Sequence, residues 1–151
     1  MKKVSIILCA ALILTLLFSA CTMTKTPITT QEFTSKAKSL GFDVYDATEQ
    51  MGGQTVASLV AISVAGNFQV EFHVLSDQAE ASGAFSDNKI NLDAIDSGSS
   101  VSASGNNWAY LGKTAGGAYY YISYIEDTFV YVRTAQENKQ AVNNLMKKLG
   151  Y

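Results

Sequence analysis

One histidine stands in the 151-residue chain, His73, so any histidine-dependent chemistry must pass through it. Glu71 lies two residues earlier, and in an extended segment residues i and i+2 share a face. A carboxylate beside an imidazole is the pairing that orients a general base, and one of the chain's serines could complete a hydrolytic triad. No Gly-x-Ser-x-Gly elbow accompanies the pair. His73 therefore reads as a residue on the wet face of its strand, opposite Leu59 and Ala61. The acidic groups offer less. Glu126-Asp127 fits a hairpin turn, and Asp43, Asp46 and Glu49 are three apart in a strand and loop, where helical spacing brings nothing together. Asp93 and Asp96 precede Ser97-Gly98 without the oxygen ligands that calcium needs. No phosphate cradle or metal motif is present, so no cofactor and no metal are expected.

Aromatic density is the other signal, since six of the sixteen aromatic residues fall between positions 119 and 131. With a two-residue loop at Glu126-Asp127, Tyr124 faces Phe129, Ile122 faces Tyr131 and Tyr120 faces Arg133. One side then carries Tyr120, Tyr124, Phe129, Tyr131 and Arg133, and the other Tyr121, Val130 and Val132. The smaller β-branched side packs a helix more readily, which predicts an open aromatic face ending in an arginine. Tyr and Arg at such a patch are the residues from which binding hot spots are built. The plain alternative is that cross-strand aromatic pairs stabilise the sheet by ~0.2 to 1 kcal/mol each and bind nothing.

These residues must be held by elements that the local pattern supplies. Thr29 and Glu32 form a capping box, Ile28 can staple onto Phe33, and Phe33, Ala37 and Leu40 share a stripe that Gly41 ends, which predicts a helix over 30–40. A second helix is expected from Ser76 or Asp77, with Glu80 completing a box and Ala81, Ala84, Phe85 and Leu92 as its stripe. A third follows Thr134, boxed by Glu137 and ending at Gly150. Alternation marks strands near 56–64 and 68–74, where a three-residue loop Ala65-Gly66-Asn67 would set Val60 against Phe72 and Ile62 against Val70. Further strands are expected near 42–45, 108–111, 118–125 and 128–133, and a mobile Ser/Gly-rich loop over 97–105. Hairpins punctuated by helices argue for an α+β domain with a mainly antiparallel sheet and helices packed on one face. Each hairpin runs into a capped helix, and Lys38-Ser39-Leu40-Gly41-Phe42 echoes Lys147-Lys148-Leu149-Gly150-Tyr151. A degenerate internal repeat and a shared helix-stop motif are the two explanations.

The N-terminus says where the domain works. Lys2 and Lys3 precede an apolar run over 4–18, shorter than the ~20 residues of a spanning helix. It ends Leu17-Phe18-Ser19-Ala20-Cys21, which resembles the lipobox of bacterial lipoproteins, whose cysteine is diacylated and becomes the new N-terminus. The alternative is an ordinary secretory signal with a chance cysteine. Cys9 leaves with residues 1–20, so Cys21 is the single cysteine of the exported chain and no internal disulfide can form. Without Lys2 and Lys3, nine basic residues face 13 acidic ones, a net charge of −4 that suits neither nucleic acid nor anionic headgroups. Anchoring then rests on acyl chains. The tether over 21–28 reaches at most about 25 Å, and the residues from 29 to 151 suffice for a single domain. Composition excludes a collagen, a coiled coil, a multi-pass membrane protein and a disordered tail.

The Leu-Gly-aromatic endings, the strand leading into Ser76-Asp77, and Ile125-Glu126-Asp127-Thr128 together resemble a group of small lipoproteins of Gram-positive bacteria that carries no known activity. The expectation is a lipoprotein on the outer face of the cytoplasmic membrane, binding a protein or cell-envelope partner without catalysis. The alternatives are a small hydrolase centred on His73 and Glu71, and a structural protein that self-associates through its aromatic sheet. Cys21→Ser should release the protein into the medium or leave an uncut precursor, since the serine hydroxyl cannot replace the acylated thiol. Fractionation checks this, and a processed Cys21→Ser chain that stays on the membrane would refute it.

Overall fold

The computed structural model describes residues 23–151 apart from 54, 65, 66 and 96. Helix α1 (Thr30–Lys38) leads into β1 (Phe42–Asp46), β2 (Thr55–Ser63) and β3 (Gln69–Leu75), followed by α2 (Gln78–Asp93). Strands β4 (Ser99–Ser104), β5 (Trp108–Ala115), β6 (Ala118–Ile125) and β7 (Thr128–Ala135) precede α3 (Lys139–Leu149). The strands form one antiparallel sheet in the order β1-β2-β3-β7-β6-β5-β4, so the fold is α+β as the pattern predicts. The expected signal segment over 1–20 and the expected lipid site Cys21 lie outside the described residues.

Caps set the helix starts. The Thr29 hydroxyl accepts from the Glu32 amide at 3.2 Å while the Glu32 carboxylate accepts from the Thr29 amide at 2.8 Å, the expected box. That hydrogen bond from the Thr29 amide, more than any other contact, holds the Glu32 carboxyl below the ordinary carboxylate range. Asp77 caps α2 by accepting from the Glu80 amide at 3.0 Å. At the far end of α2 the buried Lys113 ammonium donates to the carbonyls of Leu92 at 2.7 Å and Ile95 at 2.8 Å, placing a cation at the negative end of the helix dipole. The Thr134-Glu137 box does not form. A 3-10 turn, Gln136–Asn138, intervenes, and the Asn138 side chain donates from Nδ2 to the Thr134 hydroxyl instead.

The helices do not share one face. Phe33 and Ala37 of α1 and Val142, Leu145, Met146 and Leu149 of α3 pack with Leu59, Val70, Phe72, Tyr121, Val130 and Val132. Phe85 and Leu92 of α2 pack on the reverse side with Leu111, Ile122 and Phe129. Strands β5 to β7 are apolar on both sides, so a single helical layer would leave one of those sides in water. Because α2 and α3 follow the two hairpins onto opposite faces, a two-fold axis normal to the sheet does not relate the halves. The matching endings are helix stops, with Gly41 and Gly150 both at positive φ.

Two further expectations change. The β2–β3 register is displaced by one residue from the expected one, with Leu59 against Phe72, Ala61 against Val70 and Val60 against Glu71. Ser63 donates to the Phe68 carbonyl, which closes a four-residue loop over 64–67, part of it outside the described residues. The displacement turns Val60 and Ile62 to the reverse face and puts Leu59 and Ala61 under α1. The expected loop over 97–105 holds β4, exposed along all six residues and paired with β5 from Ser99–Thr114 to Ser104–Ala109. Its small side chains bury nothing, so alternation gave no sign of it, while backbone pairing forms it.

Candidate functional site

The β6–β7 hairpin adopts the expected register, with Tyr124 against Phe129, Ile122 against Tyr131 and Tyr120 against Arg133. Glu126 takes φ +50°, the left-handed conformation that a tight two-residue turn requires. The aromatic face is not open along its length, because α2 lies over it. Phe129 is 5% exposed, and Tyr124 meets Phe85 edge-on at 5.5 Å. The small residues Ala81 and Ala84 let the helix backbone approach rings that a bulkier stripe would hold off. Tyr120 and Tyr131 remain half-buried and Arg133 exposed, with its guanidinium 5.7 Å from the centre of the Tyr120 ring. Burial, the largest influence on it, raises the Tyr131 phenol above its ordinary pKa.

Beyond Tyr131 the same face continues bare over β2 and β1. Tyr45 is 55% exposed, Ile62 36% and Val64 70%. A hollow of about 490 Å³ opens there, lined by Ile62, Asn67, Phe68, Gln69, Glu71, Tyr131 and Arg133. The one-residue displacement of β2 supplies its apolar floor, which an expectation built on the other register could not contain.

His73 is buried, 6% exposed, and not on a wet face. Its ring stacks on Phe129 with centroids 6.2 Å apart, and its Nε2 lies 3.5 Å from the Glu71 carboxylate. That contact, followed by the opposing effect of burial and a hydrogen bond from Gln69, lowers the Glu71 pKa. The residue opposite is Ser58 and not Leu59 or Ala61. Ser58 Oγ and His73 Nδ1 are both buried and without hydrogen-bond partners among the described residues. The residue types of a triad therefore stand on neighbouring strands. Ser58 is 1% exposed and makes no hydrogen bond to the imidazole, so the arrangement offers a substrate no approach.

A groove of about 480 Å³ on the opposite face escaped the sequence reading. Val101, Tyr110, Tyr119 and Tyr121 floor it, while Lys139, Asn143, Met146 and Lys147 of α3 form its wall. Tyr110 and Tyr121 stack with centroids 6.0 Å apart and planes 8° from parallel. The Tyr119 hydroxyl donates to Asn143 Oδ1 at 2.7 Å across space left open by Gly112, where a Cβ would come within 2.7 Å of that hydroxyl. The signal lies in the alternation Trp108, Tyr110, Gly112, which places a gap in an aromatic row beside β4.

No protein-family model matches the chain, and no curated protein matches it. Among solved structures, a GTP binding regulator from Thermotoga maritima is similar to it at 14% identity, covering 81% of this chain and 84% of that one with a TM-score of 0.48.

Two outcomes follow for the aromatics. Phe129→Ser should cost about 3 kcal/mol or more, whereas Tyr131→Ser at the rim should cost about 1 kcal/mol or less; chemical denaturation of each variant checks the contrast. Burial, as the largest influence, raises the Tyr121 and Tyr151 phenols well above 10. In the unfolded chain they ionise near their ordinary value of about 10, so the stability they contribute is full below that pH and falls as pH rises above it. The melting temperature should drop from about pH 10 upward, less steeply for Tyr121→Phe.

Proposed function

We propose that the protein is a non-enzymatic binding module, anchored through lipid on Cys21 to the outer face of the cytoplasmic membrane, which holds a partner protein of the cell envelope. The observation that carries this is the bare half of the sheet, where Tyr45, Ile62 and Val64 stand exposed beside the hollow under Tyr131 and Arg133. Contiguous apolar side chains in water, bordered by Tyr, Arg and a carboxylate, have the composition of an interface centre with a polar rim. Of the five residues expected to form the surface, Tyr131 and Arg133 line the hollow, Tyr120 stands opposite Arg133, and Phe129 and Tyr124 are covered by α2. The lipidated cysteine and the export signal are read from residues 1–21.

The hydrolase reading centred on His73 and Glu71 acquires a serine in Ser58, but burial separates the serine and the imidazole from solvent, so it ranks second. His73→Ala distinguishes the two, since it should leave partner binding intact under the first reading and abolish the phenotype under the second. The double variant Tyr131→Ser/Arg133→Ser should melt close to the wild type and lose its association with envelope fractions. Undiminished association would overturn the proposal. Association that withstands protease treatment of the fraction but not digestion of the wall would reassign the partner to a wall polymer.

A further inference from the structure

The segment preceding α1 is fastened to the sheet. Trp108 Nε1 donates to the Met23 carbonyl at 2.7 Å, and the Lys25 amide donates to Asn107 Oδ1 at 3.0 Å. Asn107 Nδ2 donates back to the Lys25 carbonyl at 2.7 Å, so one side-chain amide pairs with a backbone residue as a neighbouring strand would. The same Nδ2 reaches Glu126 Oε1 at 3.0 Å, and the Glu126 amide donates to the Asn107 carbonyl at 2.8 Å, which ties the clasp to the β6–β7 turn. The Lys25 ammonium lies 4.4 Å from the centre of the Trp108 ring, and burial lowers its pKa. A Cβ on Gly105 would come within 2.4 Å of the Met23 carbonyl and 2.2 Å of the Trp108 indole nitrogen, so only glycine lets the three pass. Ile28 completes the fastening by burying its side chain with the α1 core.

We infer that this clasp orients the domain on the bilayer, with the sheet end bearing the Gly105-Asn106 and Glu126-Asp127 turns toward the headgroups and the hollow beside Tyr131 and Arg133 away from them. The inference rests on the reading of Cys21 as the lipid anchor. Only Thr22 separates Cys21 from Met23, at most about 7 Å of chain, so the acyl chains leave the domain beside the clasp. The antiparallel order gathers the starts of β2, β5 and β7 and the ends of β1, β3, β4 and β6 at that same edge. The hollow lies at the other, near Gln69 and Arg133, and the seven residues of β3 span about 23 Å between the two. Acids outnumber bases at the near edge, with Asp46, Glu49, Asp77, Glu126 and Asp127 against Lys25, Lys147 and Lys148. Attraction to anionic lipid therefore does not set the orientation, and hydrogen bonding between tether and turn does.

The test uses the full chain, exported and lipidated in cells, then reconstituted into vesicles containing a lipid with a quencher on its headgroup. A fluorophore is attached at Asn106→Cys or at Val64→Cys, both exposed, with Cys21 blocked by its own lipid. The Asn106 label should lose most of its emission while the Val64 label keeps it, and the contrast should persist at high salt. Equal quenching at the two positions would overturn the inference. In Asn107→Ala and in Trp108→Phe, which retains the ring and removes the donor, the contrast should shrink with the melting temperature largely retained; a contrast that survives both would refute the clasp as its cause. Failure of the labelled chain to float with vesicles, or labelling of the Cys21 thiol, would refute the anchor reading itself.

Discussion

The antiparallel pairing of β3 with β7 sets Val70 against Val132, Phe72 against Val130 and His73 against Phe129, and it is the seam at which the two halves of the sheet meet. Since side chains alternate, that register sends Phe72, Val130 and Val132 to α1 and α3, and His73, Phe129 and Tyr131 to the reverse side. A displacement of one residue would exchange both sets and leave each helical layer facing the wrong partners. Phe33 stacked on Phe72 at 4.6 Å, with Tyr151 edge-on to the same ring at 6.4 Å, shows how closely the first layer is fitted to that choice. The placement of the hollow follows from it too, because Glu71 and Tyr131 are opposite one another in the same ladder.

What could be read from the sequence depended on whether a local feature fixed the register. At the β6–β7 turn, Glu126-Asp127 leaves a two-residue loop, and every cross-strand pair follows from it. At the β2–β3 turn the competing loop lengths differ by one residue, and the row Val60, Ile62, Val64 looks more like a core face than Leu59, Ala61, Ser63. Burial decided otherwise because α1 brings Phe33 and Ala37 close to the sheet, and small residues beneath it make room for Phe33. The hydrophobic pattern was sound in each strand. The element that would meet each face was not visible, since tertiary packing and not the strand's own pattern decides which helix lies there.

The same reason explains the aromatic surface. The argument that β-branched residues receive a helix is correct for Val130 and Val132, which lie under the α1–α3 layer. It does not follow that the other face goes without. The chain leaves β3 through Ser76-Asp77 and starts α2 at once, on the side opposite α1, with small residues where the rings of β6 and β7 protrude. Large rings and a small-residue helix complement one another as well as small strand residues and a Phe-bearing helix do. His73 is buried by that same layer through Phe129, which a strand pattern read as wet-side alternation could not anticipate.

The bare half of the sheet is then a consequence of arithmetic in layers. Seven strands are wider than two helices can cover on one face and wider still than one can cover on the other. Helix α2 is held over β5 to β7 at its start by the Asp77 cap and at its end by the Lys113 ammonium on the Leu92 and Ile95 carbonyls, so it cannot slide toward β1. Fixing it there protects Phe129 and Ile122 and leaves Ile62 and Tyr45 uncovered. Charged residues along such an uncovered strip lower its apolar exposure, as Asp43 does on β1 opposite Ile62. The strip along β2 carries Val60 and Ile62 instead, with Val64 just past its end, an arrangement that leaves apolar area in water.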